Sequence, residues 1–280
     1  MAVTLRPFAQ VDVFSGSQYR GNPLAVVLDA QGLSGDQMQQ FANWTNLSET
    51  TFLLPPGEPL ADYKIRIFTA TEEFPFAGHP TLGSAHAWLA AGGVAKSGNM
   101  LIQECAAGLV RVKHDGDRLA FAAPPLTRSG PPDEATMGAL AAGLGLAAAE
   151  LLDVSWLING PEWIGVLLGS AQQVLDVRPD YGALDGLKVG IIGPHTARSE
   201  TYFEVRTFIA NDAVTEDPAT GSFNAGAAQW LIGSGRAPTR YVASQGTVLG
   251  RAGRIYIEAD GTDIWVGGRC RTCISGTVGI

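Results

Sequence analysis

Residues 203–222, Phe-Glu-Val-Arg-Thr-Phe-Ile-Ala-Asn-Asp-Ala-Val-Thr-Glu-Asp-Pro-Ala-Thr-Gly-Ser, echo residues 63–83, Tyr-Lys-Ile-Arg-Ile-Phe-Thr-Ala-Thr-Glu-Glu-Phe-Pro-Phe-Ala-Gly-His-Pro-Thr-Leu-Gly. Each opens with a β-rich run around a central arginine and passes through a turn rich in Pro and Gly. Each then enters a helical segment that ends in Trp-Leu, at Trp88-Leu89 and Trp230-Leu231. Arg66 precedes Gly83 by 17 positions and Arg206 precedes Gly221 by 15. Strand–turn–helix units of this kind also arise by chance, and the two halves repeat one another weakly. A true duplication predicts two similar domains whose helix N-termini face each other across a cleft, a usual place for a ligand.

Outward from these segments, residues 11–14, 25–28 and 51–54 read as strands bounded by Gly, Pro or Asp. Ser34 with Gln37 forms a capping box, predicting a helix to about Thr45. Residues 100–104, 109–113 and 119–122 read as a meander. The stretch 123–132 carries four prolines in ten residues and cannot lie within a helix or central strand. It sets the predicted domains at 1–124 and 125–280. Strand signals return at 156–159, 163–168 and 202–208, with a helix near 221–232.

Composition excludes several classes of function. At 280 residues with 46% hydrophobic and 16% charged residues, the chain can bury a core and is not disordered. A net charge of −8 argues against nucleic acid or an anionic membrane as partner, so any anion must be attracted locally. Residues 1–10 show no leader pattern and no run of 18 apolar residues occurs, which predicts a cytoplasmic protein. Glycine, at 35 of 280, is nearly twice as frequent as the roughly 7% typical of proteins. That excess points to tight turns and close backbone approaches.

Three turns carry the candidate chemistry: Asn46-Leu-Ser-Glu-Thr50, Gly78-His-Pro-Thr-Leu-Gly83 and Asp217-Pro-Ala-Thr-Gly-Ser222. The last two open helices, and a helix N-terminus offers unpaired N–H groups and a positive dipole end to an anion. Glu49, His79 and Asp217 stand beside them as candidate proton carriers. Glu49 also reads as an ordinary surface carboxylate. His79 also reads as a hydrogen-bonded structural residue, although a helix N-terminus favours its neutral form. Asp217 reads equally as a helix N-cap. Ser222 as a nucleophile lacks a Gly-x-Ser-x-Gly elbow and an identifiable base.

Other patterns are weaker. His86 lies seven positions beyond His79, a rise of about 10.5 Å along a helix, which prevents a shared metal. His114 and His195 have no supporting context. Cys270 and Cys273 lie three apart in an extended run and so face opposite ways, as strand thiols rather than a redox pair. Gly143-Leu-Gly145-Leu-Ala-Ala148 matches a relaxed dinucleotide pattern, but what precedes it is helical, so it reads as a helix–helix turn. No phosphate-loop or zinc spacing is present.

The segments Val11-Asp-Val-Phe14, Arg20-Gly-Asn-Pro23, Asn46-Leu-Ser-Glu-Thr50, Arg66-Ile-Phe-Thr69, Gly78-His-Pro-Thr-Leu-Gly83, Glu216-Asp-Pro-Ala-Thr-Gly-Ser222 and Gln245-Gly246, in this order, resemble the phenazine-biosynthesis PhzF-like family over nearly the whole chain. The resemblance implies an α+β fold of two similar domains, each an antiparallel β-sheet wrapped around a central helix, as in diaminopimelate epimerase, with a cleft between them. It implies a cofactor-independent, metal-free isomerase in which Glu49 moves a proton between carbons of a small, cyclic or unsaturated carboxylate. His79 and Asp217 would assist. Gly78, Gly221 and Ser222 would hold the carboxylate, and Asn22, Ser48 and Gln245 would add substrate contacts. It also implies a homodimer. A metabolite-binding protein without turnover and an amino-acid epimerase are the alternatives, although two-thiol racemisation lacks its cysteines at the two helix-opening turns. Phe223 stands where the family often has a small residue, a bulk expected to narrow or reshape the pocket, and Ala252 replaces a frequent proline.

Overall fold

The computed structural model describes residues 4–210 and 214–280, and Asp115 by its backbone. Residues 1–3, where the stretch read for a leader begins, lie outside the described residues. In chain order the first elements are β1 (Leu5–Val13), β2 (Asn22–Val27), α1 (Gly35–Thr45), β3 (Glu49–Leu54), β4 (Tyr63–Phe68), β5 (Glu73–Phe74) and α2 (Gly78–Ala90). They are followed by β6 (Met100–Cys105), β7 (Gly108–Asp115), β8 (Arg118–Ala122), β9 (Arg128–Gly130) and α3 (Glu134–Leu144). Next come β10 (Asp153–Ile158), β11 (Glu162–Leu167), α4 (Ala171–Asp176), β12 (Lys188–Pro194), β13 (Phe203–Ile209) and β14 (Glu216–Asp217). The chain closes with α5 (Gly221–Gly233), β15 (Arg240–Gln245), β16 (Gly253–Ala259), β17 (Ile264–Gly268) and β18 (Cys270–Gly279).

The elements form two compact units, Met1–Ala122 with Gly267–Ile280, and Ala123–Val266. The second predicted domain therefore does not run to Ile280. The last 14 residues return to the first unit, where β18 pairs antiparallel with β1 from Leu5↔Gly279 to Val13↔Cys270. A strand's own pattern shows that it has a buried face but not which edge it will complete.

In the first unit the strand order is β18–β1–β2–β3–β4–β6–β7–β8, with β5 on β4 beside β6. In the second it is β9–β10–β11–β12–β13–β15–β16, with β14 on β13 beside β15. Both sheets are mixed rather than antiparallel. The pairs β2–β3, β4–β6, β11–β12 and β13–β15 are parallel, because the crossovers through α1, α2, α4 and α5 return the chain in its original direction.

Helices cover both faces of the first sheet. On one face, Met38 and Ala42 of α1 bury against Val27, Phe52 and Phe68. The capping box forms as read: the Ser34 hydroxyl accepts from the Gln37 N–H and the Gln37 side chain from the Ser34 N–H. On the other face α2 packs against β1, β2, β3, β6, β8 and β18. This helix is apolar nearly all round, as a helix enclosed by sheet must be. A Cβ on Gly83 would lie 2.5 Å from Leu24 Cδ2, so glycine is what lets α2 approach the sheet. In the second unit α5 packs on β10, β11 and β16, while Leu140 and Leu144 of α3 and Val174 of α4 join another core with Ile164, Val166, Ile191 and Phe208. The 143–148 pattern is a helix end: α3 stops at Leu144 and Gly145 caps it at φ +65°.

Candidate functional site

Strand alternation decides what faces α2 in the first unit. Thr51 accepts a hydrogen bond from the Ser84 hydroxyl (2.9 Å), and Leu24 touches Gly83, so both point toward α2. Two residues earlier on the same strands stand Glu49 and Asn22, which share that face because side chains repeat with period two. On the helix, His79 precedes Gly83 by four residues and presents the same side. The outcome is a cluster of three groups. Asn22 Nδ2 lies 3.3 Å from His79 Nδ1, and His79 Nε2 lies 3.4 Å from Glu49 Oε2. Asn46, left-handed at φ +54°, ends α1 and turns the chain into Glu49, the first residue of β3.

His79 is enclosed and its side chain is 3% exposed, whereas that of Glu49 is 13% exposed. Burial pushes the His79 pKa down to about 3, so the imidazole stays neutral and its 3.4 Å approach to Glu49 Oε2 is not an ion pair. Glu49 is thus a partly accessible carboxylate backed by a fixed neutral ring. Gly78 is the buried first residue of α2, and Ser48 lies half-buried in the turn before Glu49.

In the second unit the Asp217 turn is held from behind. Asp217 belongs to β14 and is not the N-cap of α5; Thr220 occupies the cap position and its hydroxyl donates to Asp217 Oδ2. Gln245 is fully buried. Its Oε1 accepts from the Thr220 N–H and from Asn224 Nδ2, each at 3.0 Å. Its Nε2 donates to the Asp217 carbonyl at 3.0 Å and lies 2.9 Å from Thr220 Oγ1. These bonds engage both ends of the Gln245 amide in shaping the turn. Ser222 is buried beside Gly221, and its hydroxyl accepts from Trp163 Nε1 (3.0 Å) while Asn159 Nδ2 donates to its carbonyl (2.9 Å).

Phe223 packs inward. Its ring is fully buried, edge-on to Trp163 at 5.9 Å, and a Cβ on Gly190 would lie 2.1 Å from it. Glycine at 190 makes room for the ring inside the core of the second unit. Two features had no signal in the sequence read alone: the link from Asn22 to His79, and the support of the Asp217 turn by Gln245. His195 also has a context that its sequence neighbours do not reveal, with Nε2 3.1 Å from Glu204 and 3.2 Å from the Ser244 hydroxyl.

Among the described residues, no group of three or more His, Cys, Asp or Glu side chains is arranged to hold a metal ion. Also among them, no helix is long and apolar enough to cross a membrane. The three free cysteines lie in β6 and β18, none at the start of α2 or α5.

A family model described as phenazine biosynthesis-like protein matches residues 11–277. A fission yeast protein, antisense-enhancing sequence 1 of Schizosaccharomyces pombe, is 38% identical over 98% of this chain and 99% of its own. The trans-2,3-dihydro-3-hydroxyanthranilate isomerase of Pseudomonas aeruginosa is 33% identical over 91% of this chain and 90% of its own. The crystal structure of a phenazine biosynthesis protein of the PhzF family from Bacillus anthracis matches with a TM-score of 0.81 at 21% identity, covering 99% of this chain and 100% of that one. That last likeness is one of fold.

Proposed function

This chain belongs to the phenazine biosynthesis-like family, and from that premise we propose that it is a cofactor-independent isomerase acting on a small, cyclic or unsaturated carboxylate. Glu49 is the general acid/base. A substrate C–H bond breaks, its proton passes to Glu49, and the electron pair moves through the adjacent unsaturation to a second carbon. Glu49 returns the proton there, so the product is an isomer and no redox partner is consumed. The observation that supports this reading best is the partly accessible Glu49 carboxylate 3.4 Å from a buried, neutral imidazole. A ring with a pKa near 3 can hold the carboxylate without acting as a rival acid at neutral pH.

In the same reading Ser48, Gly78 and the start of α2 contact substrate in the first unit. In the second, Asp217 assists proton transfer, while Gly221 and Ser222 offer helix-terminal donors to a carboxylate. Gln245 contributes by fixing the Asp217 turn. A homodimer is part of the proposal, to be read from light scattering of the purified protein.

The first compound to assay is trans-2,3-dihydro-3-hydroxyanthranilate, named for the Pseudomonas relative. The expected outcome is conversion to an isomer of equal mass. Glu49→Gln should lower kcat by about 10²-fold or more, the low end of what positioned proton transfer contributes, with unchanged thermal stability. Reaction in deuterated water should place label on a product carbon whenever the proton on Glu49 exchanges before its return. Turnover that survives Glu49→Gln assigns the chemistry elsewhere.

A further inference from the structure

We propose that Asn22 is a positioning residue that fixes His79 in its Nε2–H tautomer, so that the ring turns an N–H, and not a lone pair, toward the Glu49 carboxylate. The effect on turnover rests on the isomerase reading above; the tautomer does not.

The argument starts at the backbone before Asn22. The Asp12 carboxylate accepts from the Arg20 N–H at 3.0 Å and from the Gly21 N–H at 2.9 Å, which clamps the turn entering β2. A Cβ on Gly21 would lie 2.1 Å from the Val13 carbonyl oxygen, so only glycine permits the clamp. The turn delivers a fully buried Asn22 with its amide nitrogen 3.3 Å from His79 Nδ1.

An amide nitrogen can only donate, and an ionised carboxylate can only accept. With Asn22 Nδ2 on one side and Glu49 Oε2 on the other, the ring must offer a lone pair at Nδ1 and a hydrogen at Nε2. The opposite tautomer sets N–H against N–H at one end and lone pair against carboxylate at the other. In a buried site a mismatched donor or acceptor has no water to turn to and bears its full desolvation penalty. Turning the Asn22 amide over repairs the first clash but leaves the second, two acceptors in contact. Only the Nε2–H ring suits both neighbours, with Nδ1 accepting from Asn22 and an N–H rather than a lone pair 3.4 Å from Glu49 Oε2. The sequence places Asn22 among the substrate contacts; the geometry gives it work behind the histidine.

The test reads the ring directly on the resting protein. With ¹⁵N-labelled histidine, long-range proton–nitrogen NMR at pH 7 should show His79 with a protonated Nε2 and an unprotonated Nδ1. The signal is assigned by its loss in His79→Gln. Asn22→Asp supplies an acceptor at Nδ1 and should move a proton there, giving the other tautomer or the imidazolium. Asn22→Ala should leave a mixture. In the isomerase assay Asn22→Asp should lower kcat by about 10²-fold with little change in KM. A wild-type ring protonated at Nδ1 overturns the proposal, and that spectrum decides the matter even if the variants fail to fold. A ring signature unchanged in folded Asn22→Asp, with only KM raised, also overturns it, because Asn22 then contacts substrate without setting the ring. Turnover that survives Glu49→Gln would sink the isomerase reading and leave the ring measurement intact.

Discussion

At the scale of single residues, the site depends on a histidine that refuses a proton. In the unfolded chain His79 titrates near its ordinary value of about 6.5; in the folded protein burial lowers its pKa to about 3. The unfolded state therefore binds more protons between these values, and folding stability falls as pH drops through that window. At pH 7 the contribution is fully present. Below about 6.5 it should decline with a slope approaching about 1.4 kcal/mol per pH unit, flattening near pH 3. His79→Gln should remove this part of the acid sensitivity, which urea unfolding of both proteins between pH 7 and pH 4 will measure. An equal acid dependence in the variant would place the sensitivity in other groups. The histidine's neutrality was legible in outline from its place at a helix start. Its depth was not, because burial follows from which strands fold over α2.

At the scale of elements, the repeat read weakly from the sequence is a duplicated framework. In one unit, Arg66 of β4 holds Glu73 of β5 through two bonds of 2.7 and 2.6 Å; in the other, Arg206 of β13 holds Glu216 of β14 through two bonds of 2.9 Å. Each arginine lies over the aromatic ring two residues on, Phe68 at 5.0 Å and Phe208 at 4.9 Å. Each pair pins the short strand that leads into the buried helix. Their environments differ, and so should their energetics. The side chains of Arg66 and Glu73 are 30% and 36% exposed, those of Arg206 and Glu216 only 2% and 9%. Arg206 Nη1 also donates to the carbonyls of Val174 and Val177. Arg66→Ala should cost under about 1 kcal/mol, whereas Arg206→Ala, which strands Glu216, should cost about 3–5 kcal/mol. Chemical denaturation of the two variants checks the contrast, and equal costs would refute it. The duplication stops at the acid. Leu24 pairs with Glu49 where Trp163 pairs with Lys188, so the register position of the glutamate is occupied by a lysine in the second unit. Likewise Ser222 stands second in α5 where His79 stands second in α2.

At the scale of the whole chain, the last strand completes the first unit: β18 pairs with all nine residues of β1, and Ile280 exchanges backbone hydrogen bonds with Thr4. Removing residues 267–280 should expose the β1 edge and bring its amide exchange protection down toward that of a fraying strand, while α5 in the second unit stays protected. Hydrogen exchange on the truncated chain reads both, and a β1 that remains slow to exchange would contradict the assignment. What the sequence determined by itself were the features written in local patterns. The capping box of α1, the β4 run, the helix after Pro218 and the three chemistry-bearing turns all follow from spacing, propensity and capping. The tertiary structure alone decided which edge β18 completes, that the helical crossovers make the sheets mixed, that Phe223 enters the core over Gly190, and that Asn22 meets His79. These depend on contacts between residues far apart in the chain, and periodicity fixes which face a side chain occupies but not what is packed against it.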